Sequence, residues 1–342
     1  MKVLHILASN KYSGAENVAC QIIDMFKNEI EMAYCSPNGA IAETLNNKNI
    51  QYFPISKLSA KEIKRVIKEY KPDIIHCHDL KAIVTCANIK NIKKIAHIHV
   101  NHPKMTHLTL RSIVAKTFLK KYSHIYWVSD SCFKDFKYHN LFLEKSTILP
   151  NIISIKDTYK KIKDLNESYD YDIVYCGRLT IQKNPLRILE IVDLLKNTNK
   201  NIKVAICGDG DMLEQFNQTI KEKGLEKYLD VFGFVSNPFD IIYHSKLMIL
   251  TSYFEGTPMT ALESLALGTP IVSTSIDGMK KLIQNGVNGY LYETNDEAAA
   301  TILRVLEDQK LFDSLKKNAK KFAIDINDVN EYKKKIIKAY RG

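Results

Sequence analysis

The sequence predicts an α/β protein built from two tandem, doubly wound, Rossmann-like domains, each with a parallel sheet. The first observation is the length of 342 residues, which suits two domains at roughly 100–200 residues each. The second is that short apolar runs typical of buried strands alternate with stretches of helical spacing, as in βαβ units. The third is that this alternation pauses after residue 150 and then begins again. Two such domains in tandem predict a ligand-binding central cleft between the carboxyl ends of their sheets.

The first half begins with an apolar run over residues 1–8 that predicts a buried strand. A helix is expected over 15–26, because Val18, Ile22, Ile23 and Phe26 recur at helical spacing. A second helix is expected over 60–70. The remaining strands of this half are expected over 31–35, 50–55, 73–77, 94–100 and 124–128.

The second half repeats the pattern after a Lys-rich linker over residues 156–168. Helices are expected over 185–196 and 212–223, and strands over 172–176, 203–207, 229–232, 247–251, 270–273 and 289–292. We therefore expect an N-terminal domain with its linker over 1–165 and a C-terminal domain over 166–325. A last helix over 326–342 is expected to pack back on the N-terminal domain.

The composition excludes several classes of protein. Hydrophobic residues make up 45% and charged residues 25% of the chain, which is ordinary for a folded domain and excludes disorder as the main state. The sequence has no run of about 18 uncharged apolar residues, and its first apolar stretch is too short for the core of a secretion signal. Seven scattered cysteines without a CxxC motif indicate reduced thiols in a cytoplasm.

The net charge of +11 is unevenly distributed. Residues 1–165 contain 26 Lys and Arg against 14 Asp and Glu, a net charge of +12. The rest of the chain contains 23 Lys and Arg and 24 Asp and Glu, a net charge of −1. The first half should therefore favour an anionic surface or substrate. Within it, residues 105–122 predict a basic amphipathic helix, which either lies on an anionic membrane or packs on the core with a solvated basic face.

Two loops of the second half carry charge directly after a predicted strand. Arg178 follows the strand at 172–176, and Lys183 lies at the start of the next helix. Cations beside a helix N-terminus favour a phosphate site, although a solvated Arg and Lys explain the pattern equally well. Gly208 begins a GDGD run that lets backbone approach a ligand but is not a full GxGxxG motif. Its DxD spacing, which also occurs at residues 170–172, is more simply explained by chance than by a metal site.

The most specific motif covers residues 255–263, EGTPMTALE, after the strand at 247–251. Pro258 suits a first helical turn, so the amides around Thr257, Met259 and Thr260 are free to face an anion. Glu255 precedes that helix and Glu263 lies on it, which suits a ligand that carries both phosphates and hydroxyls. The alternative is that Glu255 caps the helix and Glu263 lies on the surface.

Histidines mark the ends of two strands in the first half. His76 and His78 share one face of a strand, as do His97 and His99, because alternate residues point the same way. Metal binding, packing at the strand end and substrate binding all remain open. Metal binding is disfavoured because no acidic residue lies near His97 or His99 in the sequence and no HExxH helix occurs.

Three segments of the chain resemble the retaining GT-B glycosyltransferases of family 4. They are the motif at 255–263 with its GTPIV continuation, the GRL and KN residues within 177–184, and the SGAEN loop at 13–17. The resemblance covers most of the chain. It implies that the N-terminal domain binds the acceptor and the C-terminal domain binds a nucleotide sugar.

The resemblance also assigns roles to residues of the second half. Arg178 and Lys183 match the residues that hold the donor diphosphate. Glu263 matches the glutamate that binds the nucleotide ribose, and Glu255 matches the glutamate that lies near the donor sugar. The run Gly233-Phe234-Val235 resembles the segment that frames the base, so that Phe234 and Val235 join the donor site. The other donor-binding residues implied are Gly208, Gly256, Thr257, Pro258, Met259 and Thr260.

The first half contributes two residues by the same resemblance. Gly14 would bring backbone to the diphosphate, although Ser13 replaces the first of the two glycines usual in the family. His99 matches the histidine that contacts the donor sugar and the reaction centre, with His97 as the alternative if the register differs by two. His99 and Glu255 are therefore the expected catalytic residues.

The resemblance implies a retaining hexosyltransferase, and the cations Arg178 and Lys183 with the helix terminus near Thr257 predict that it needs no metal and no cofactor. The resemblance implies a nucleoside-diphosphate sugar, UDP-linked, as donor and a glycan or lipid-linked acceptor in bacterial surface polysaccharide or glycoconjugate synthesis. We expect a cytoplasmic location, peripheral at the inner face of the membrane, and no nucleic-acid partner. The alternatives are a sugar-nucleotide epimerase or hydrolase of the same architecture, or a non-catalytic subunit that binds polyanions.

Overall fold

The computed structural model describes residues 1–100, 102–165, 169–198 and 201–342. The chain divides into two compact units. Unit 1 comprises Met1–Ile152 together with Val329–Gly342, and unit 2 comprises Ile153–Asp328. The chain thus leaves unit 1 at residue 152, rather than at 165, and returns to it for the last 14 residues.

Unit 1 contains a seven-stranded parallel sheet with strand order β3-β2-β1-β4-β5-β6-β7. Its strands are β1 Lys2–Ile6, β2 Glu31–Pro37, β3 Tyr52–Ile55, β4 Ile74–Cys77, β5 Lys93–Ile98, β6 His124–Trp127 and β7 Ser146–Ile148. Its first six helices are α1 Gly14–Met25, α2 Ile41–Asn47, α3 Ala60–Tyr70, α4 Leu80–Cys86, α5 Leu110–Leu119 and α6 Asp130–Lys134. Short 3₁₀ helices cover Pro103–Met105 and His139–Lys145. The chain order reverses between β1 and β4, which is the switch point of a Rossmann-like sheet.

The two faces of this sheet differ in chemistry. One face carries the apolar core, with Leu4, Ile6, Ile75, Ala96 and Trp127 buried among their neighbours. The other face is lined with rings, because register pairs align Tyr52, Tyr34, His5 and His76 across β3, β2, β1 and β4. On β5 and β6, His97 pairs in register with Tyr126.

The final helix, α15 Val329–Arg341, belongs to unit 1 and packs on the ring-lined face. The Tyr340 hydroxyl lies 2.8 Å from His76 Nδ1, and its carbonyl accepts a hydrogen bond of 3.1 Å from Lys93. The Tyr126 hydroxyl donates to the carbonyl of Lys335 at 3.0 Å. Buried side chains of α15 therefore complete the layer that shields the histidines from solvent.

Unit 2 contains a six-stranded parallel sheet with order β10-β9-β8-β11-β12-β13. Its strands are β8 Tyr171–Cys176, β9 Val204–Cys207, β10 Leu229–Gly233, β11 Ser245–Leu250, β12 Ile271–Thr274 and β13 Gly289–Tyr292. Its helices are α7 Ile155–Tyr159, α8 Leu186–Thr198, α9 Leu213–Glu222, α10 Phe239–Tyr243, α11 Met259–Leu267, α12 Asp277–Lys280, α13 Asn295–Glu307 and α14 Gln309–Ile326, and a 3₁₀ helix covers Ile181–Lys183. The switch point lies between β8 and β11.

Three sequence predictions differ from the structure. The linker prediction is wrong for residues 156–165, because Ser154 caps α7 and Tyr159 of that helix donates to the carbonyl of Ala266 at 3.1 Å within unit 2. The rest of the predicted linker, residues 166–168, lies outside the described residues. These include residue 166, the first residue of the expected C-terminal domain. Strand β7 is too short, at three residues, to be detected by periodicity.

The third difference concerns the helix expected over 105–122. A 3₁₀ turn ends at Met105, and α5 begins only at Leu110, because Thr109 and Ser112 form a capping box. Met105 and Leu119 are buried, whereas Leu108 and Leu110 are exposed, so the apolar residues do not form one continuous face. Across the ranges that the structure describes, every helix is too short or too polar to cross a membrane.

Candidate active site

The loops that follow β8 and β11 are joined to each other at the switch point of unit 2. The backbone of Tyr253 donates to the carbonyl of Gln182 at 2.9 Å, and Gln182 Nε2 donates to the carbonyl of Phe254 at 3.0 Å. Thr251 Oγ1 donates to the carbonyls of Lys183 and Asn184, each at 2.9 Å. These bonds fix the backbones that carry Lys183 and Glu255 relative to each other.

Lys183 and Glu255 form an ion pair at this point. Lys183 Nζ lies 2.5 Å from Glu255 Oε1, and the side chains are only 14% and 10% exposed. The same carboxylate oxygen accepts a hydrogen bond of 2.7 Å from Ser252 Oγ. Glu255 therefore does not act as the cap of α11, and Lys183 is not a solvated surface cation.

The end of β8 brings further charges together around Cys176. Burial raises the pKa of the Cys176 thiol well above its ordinary value; Cys207 and the carboxylate of Glu263 add to this rise, and Lys183 opposes it. The carboxylate of Glu263 and the ammonium of Lys183 are thus both close to the end of β8. The Arg178 side chain, two residues after β8, is exposed, and the carbonyl of Arg178 accepts a 2.9 Å hydrogen bond from the Tyr175 hydroxyl.

Helix α11 begins at Met259 with Pro258 as its N-cap and no side chain capping it among the described residues. Gly256, Pro258 and Met259 are buried, and Thr257 and Thr260 are partly exposed. Glu263 is buried on the first turns of this helix, which excludes the surface alternative. The first amides of α11 and the pair of Lys183 and Glu255 thus belong to the same loop system.

The glycines in these loops allow backbone segments to approach each other. A Cβ at Gly208 would lie 1.9 Å from the carbonyl oxygen of Gly177, so the fold itself requires glycine there, whatever its role toward a ligand. A Cβ at Gly278 would lie 2.4 Å from the carbonyl oxygen of Gly256. Sequence reasoning missed Gly278 and Ser252, although both lie shortly after the carboxyl end of a central strand, a position that marks loops near a Rossmann ligand.

Phe234 and Val235 directly follow β10, on the far side of β9 from β8. Gly233 adopts a left-handed conformation, with φ of 65°, that turns the chain at the strand end. Phe234 is exposed and Val235 is partly exposed. An aromatic ring that projects from the carboxyl edge of the sheet is available for contact with a planar ligand.

Gly14 lies at the switch point of unit 1, as the first residue of α1. It is exposed, and a Cβ built on it would meet no described atom within 4 Å. Nothing in the described fold therefore requires glycine at this position. The neighbouring Ser13 Oγ donates to Glu16 Oε2 at 2.5 Å, and Glu16 is buried.

Five histidines converge on the ring-lined face of the sheet in unit 1. His5, His76, His78 and His97 are buried, and His99 is partly exposed just beyond the end of β5. His5 Nδ1 lies 2.8 Å from His78 Nε2, and His78 Nδ1 lies 3.0 Å from His99 Nε2. Burial lowers the pKa of His5 and of His99 to about 3, and it lowers the pKa values of the other three well below their ordinary range. The cluster is therefore neutral at pH 7.

The spacing of these rings bears on the metal alternative. In two groups of three, His5 with His76 and His78, and His78 with His97 and His99, the nearest nitrogens lie within 4.8 Å of one another. The contacts of 2.8 and 3.0 Å have the length of hydrogen bonds between imidazoles. Neutral imidazoles are also the form that ligates metals. The geometry thus brings together the histidines that the sequence singled out, and it adds His5.

Two family models match the chain in succession. "Glycosyltransferase Family 4" matches residues 13–157, and "Glycosyl transferases group 1" matches residues 156–322. Among curated proteins, the capsular polysaccharide biosynthesis glycosyltransferase CapH of Staphylococcus aureus is 25% identical over 81% of this chain and 82% of its own length. A UDP-Gal:α-D-GlcNAc-diphosphoundecaprenol α-1,3-galactosyltransferase of Escherichia coli is 23% identical, over 94% of this chain and 91% of its own length.

Solved structures give the same fold. HepE of Anabaena in complex with UDP and glucose has a TM-score of 0.86 with 20% identity, and 99% of both chains are covered. The fold and the matched families define an enzyme that transfers a sugar from a nucleotide sugar. The chain belongs to the GT-B type glycosyltransferases of family 4. The family and the fold class predicted from the sequence are thereby confirmed.

Proposed function

We propose that the enzyme transfers a hexose from a UDP-sugar to a glycan or lipid-linked acceptor, with retention of the anomeric configuration and without a divalent metal. The observation that carries the proposal is the buried pair of Lys183 and Glu255 at the switch point of unit 2, where the exposed Arg178 also follows β8. Names of relatives support the finer assignments, since they include a UDP-galactose enzyme that acts on a polyprenol-linked sugar. HepE, with the same fold, binds UDP and glucose.

Breaking the bond between the sugar and UDP leaves negative charge on the departing diphosphate. Lys183 and Arg178 supply cations, and the first amides of α11 supply N–H donors with the positive end of the helix dipole. Each hydrogen bond to a charged group is worth about 1.5–3 kcal/mol, so two cations and a helix terminus provide the stabilisation that a metal gives elsewhere. Glu263 is assigned to the ribose, Glu255 and His99 to the sugar, and Phe234 to the base.

Calorimetry of UDP binding tests the donor site. Lys183→Met should weaken UDP binding at least tenfold, because it removes a charged hydrogen-bond donor. Lys246→Met is the matched control, since Lys246 forms a 2.9 Å ion pair with Asp172 at the amino ends of β11 and β8, away from the loops. Equal UDP affinity for wild type and Lys183→Met would contradict the proposal.

The reaction itself is tested with UDP-sugars and a polyprenyl-diphosphate-linked sugar as acceptor, in the presence of a chelator. We expect acceptor-dependent UDP release and a product whose anomeric proton, by NMR, has the configuration of the donor. UDP release without acceptor would favour a hydrolase or epimerase. Loss of activity in the chelator, restored by Mg²⁺ or Mn²⁺, would contradict metal independence.

We propose further that unit 1 contacts an anionic membrane through the start of α5. Leu108, Leu110 and Ile113 are 70%, 79% and 43% exposed, and Lys104 and Arg111 are exposed among them. Apolar side chains interspersed with cations are typical of helices that lie on anionic lipid. A surface-bound enzyme would meet a lipid-linked acceptor at the bilayer.

Sedimentation with vesicles tests this surface. Replacing Leu108 and Leu110 with Ser should reduce binding to vesicles containing phosphatidylglycerol, and binding to zwitterionic vesicles should be weak for every variant. Leu141 and Leu143, which are also exposed in unit 1, give a matched double replacement elsewhere on the surface. If both double variants lost the same share of vesicle binding, the start of α5 would not be a specific membrane-binding surface. Retarded migration of labelled DNA with the protein in a gel would favour nucleic acid as the anionic partner.

A further inference from the structure

An open cavity on unit 1 is lined by lysines. It lies between α3 and the loop that joins α4 to β5, and its volume is about 420 Å³. These two segments lead into β4 and β5, so the cavity lies at the amino edge of the sheet, opposite the edge where the histidines follow the same strands. The lining consists of three cations, two isoleucines, one asparagine and no acidic residue: Lys64, Ile67, Lys68, Asn88, Ile89 and Lys90.

The loop that carries Lys90 is held in place on both sides. Lys94 Nζ donates to the carbonyl of Ile89 at 2.7 Å, and the Ile89 side chain is buried. Asn91 adopts a left-handed conformation, with φ of 59°, that turns the chain directly after Lys90. Lys121, just after α5, donates to Asn88 Oδ1. The wall formed by the loop is thus fixed, and it holds a fourth ammonium group.

The lysines of the cavity are not matched by negative charge. Residues 57–121 contain 15 Lys and Arg against 4 Asp and Glu, a net charge of +11. All four carboxylates are engaged elsewhere, in ion pairs with Arg65 or the amino terminus, or as the N-cap of α4. Lys64, Lys68 and Lys90 are exposed and form no ion pair among the described residues. The cavity is therefore a concave surface of one charge, which concentrates positive potential.

A second cavity of unit 1 provides a contrast. It lies at the amino ends of β2 and β3 and has a volume of about 170 Å³. Lys27 and Lys48 line it, but Asp24 and Glu31 do so as well, so its charges balance. Sites for small ligands commonly have volumes of roughly 300–1,000 Å³, a range that includes only the larger of these two cavities.

We propose that the cavity lined by Lys64, Lys68 and Lys90 binds a phosphate group. A phosphate group carries up to about two negative charges at pH 7 and several strong acceptor oxygens, which complement three ammonium groups around one cavity. The group belongs either to the headgroup of an anionic phospholipid or to phosphate free in solution. The site is separate from the donor site in unit 2, and it does not depend on the function proposed above.

Methyl NMR of isoleucine-labelled, full-length protein tests the site, because each cavity has isoleucines of its own. Titration with inorganic phosphate, compared with sodium chloride at equal ionic strength, should shift the signals of Ile67 and Ile89 in a saturable way. Ile23 and Ile50 of the second cavity should not respond. Ile181, which lies in the loop after β8, reports separately on phosphate bound at the donor site. Replacement of each isoleucine with Val assigns the signals.

A double variant tests whether the lysines carry the binding. Lys64→Gln with Lys90→Gln removes two of the three cations and should weaken phosphate binding at the Ile67 and Ile89 signals at least tenfold. Both lysines are exposed, so the variant should fold as the wild type does. Lys27→Gln with Lys48→Gln removes the same charge from the second cavity and is the matched control. Equal weakening in the two double variants would overturn the proposal, because net charge alone would then explain the binding.

Sedimentation with phosphatidylglycerol vesicles distinguishes the two sources of the phosphate. If a lipid headgroup occupies the cavity, vesicle binding should fall severalfold in the Lys64 and Lys90 variant and remain unchanged in the control. If vesicle binding is the same in both while inorganic phosphate shifts Ile67 and Ile89, the ligand is free phosphate. The proposal is overturned if neither effect is seen. Both readouts work without nucleotide, so a failure of UDP binding would refute the proposed function and leave this site standing.

Discussion

Lys183 and Glu255 are 72 positions apart in sequence, yet their charged groups lie 2.5 Å from each other in a nearly buried setting. Glu255 thus neutralises a cation that, in the proposed function, holds a diphosphate. The Glu255 carboxylate holds the Lys183 ammonium in place, and the Ser252 hydroxyl donates to that carboxylate. In the proposed function, a bound donor gives Lys183 a second anionic neighbour. The proposed function thus gives the pair a role in both stability and donor binding.

The first prediction concerns the stability of this pair. Glu255→Gln should lower the free energy of unfolding by about 3–5 kcal/mol, because it leaves the Lys183 ammonium buried without its counter-charge. The double variant Lys183→Met with Glu255→Gln should be more stable than Glu255→Gln alone, since no charge then remains unpaired. Urea denaturation followed by circular dichroism measures both.

The pair of Lys246 and Asp172 is the control for this prediction. It is more exposed than the pair of Lys183 and Glu255, and Asp172→Asn should cost no more than about 1 kcal/mol. If Glu255→Gln and Asp172→Asn had the same free energy of unfolding, the pair of Lys183 and Glu255 would contribute no more to stability than an exposed ion pair. In that case a loss of transfer in Glu255→Gln would report on chemistry alone.

The second prediction separates stability from function at Gly14. Gly14→Ala should leave the fold intact and stabilise it by about 0.4–1 kcal/mol, because the backbone at this exposed position suits alanine and the unfolded chain loses conformational freedom. If backbone at this position approaches the donor diphosphate, the same variant should raise KM for the UDP-sugar. Ala15→Ser, one residue further along α1, is the control for a small change in side-chain size. A more stable Gly14→Ala enzyme with unchanged KM would remove Gly14 from the donor site.

Much of the fold could be predicted because short continuous apolar runs mark strands that are buried on both faces. The helix at Ala60–Tyr70 begins and ends where the sequence places it, since Ser59 is its N-cap and Lys71 adopts a left-handed conformation after it. Residues 156–165 were mistaken for a linker because their lysines suggest solvent. The packing of Tyr159 on the end of α11 is a long-range contact that composition does not encode.

The candidate site was predictable as a set of residues but not as a set of contacts. Motif spacing in the sequence identifies Lys183, Glu255 and Glu263 as candidate site residues. It could not show that Lys183 and Glu255 pair with each other, because strand order decides which loops are neighbours. His5 was passed over for the same reason. Only the register of β1 with β4 places it beside His76.

The third prediction concerns α15. A chain that ends at Asp328 should lose the folded state of unit 1, because Tyr332, Ile336 and Tyr340 are buried on the sheet face that carries the histidines. Fluorescence of Trp127, the single tryptophan, reports on unit 1, in which it is fully buried. Lys333→Ala, which removes the ion pair with Glu29 and the contact of the ammonium with the Phe26 ring but leaves the buried side chains of α15, is the control and should change little. A truncated chain with native tryptophan emission would show that the sheet folds without α15.

The fourth prediction is that unit 1 unfolds in mild acid before unit 2. Nine of the ten histidines lie in unit 1, and burial lowers the pKa of His5 and His99 to about 3 and that of His124 to about 4. A histidine of the unfolded chain binds its proton near pH 6.5, so between there and the lowered values the unfolded state binds more protons. Stability is therefore present above pH 6.5 and is lost as the pH falls toward 3, by about 1.4 kcal/mol per pH unit for each buried histidine.

His5 and His99 together would remove about 4 kcal/mol by pH 5, and the lowered pKa values of His76, His78 and His97 add to this loss, which is a large part of the stability of a domain. Trp127 emission should therefore shift between pH 7 and 5, while much of the helical signal of unit 2 persists. His97→Leu makes the test specific, because both nitrogens of His97 are buried without a partner among the described residues. This variant should be at least as stable as wild type at pH 7, since it removes an unsatisfied polar group, and its acid midpoint should move to lower pH. An acid transition of Trp127 at the same pH in His97→Leu and wild type would show that these buried histidines do not control the acid stability of unit 1.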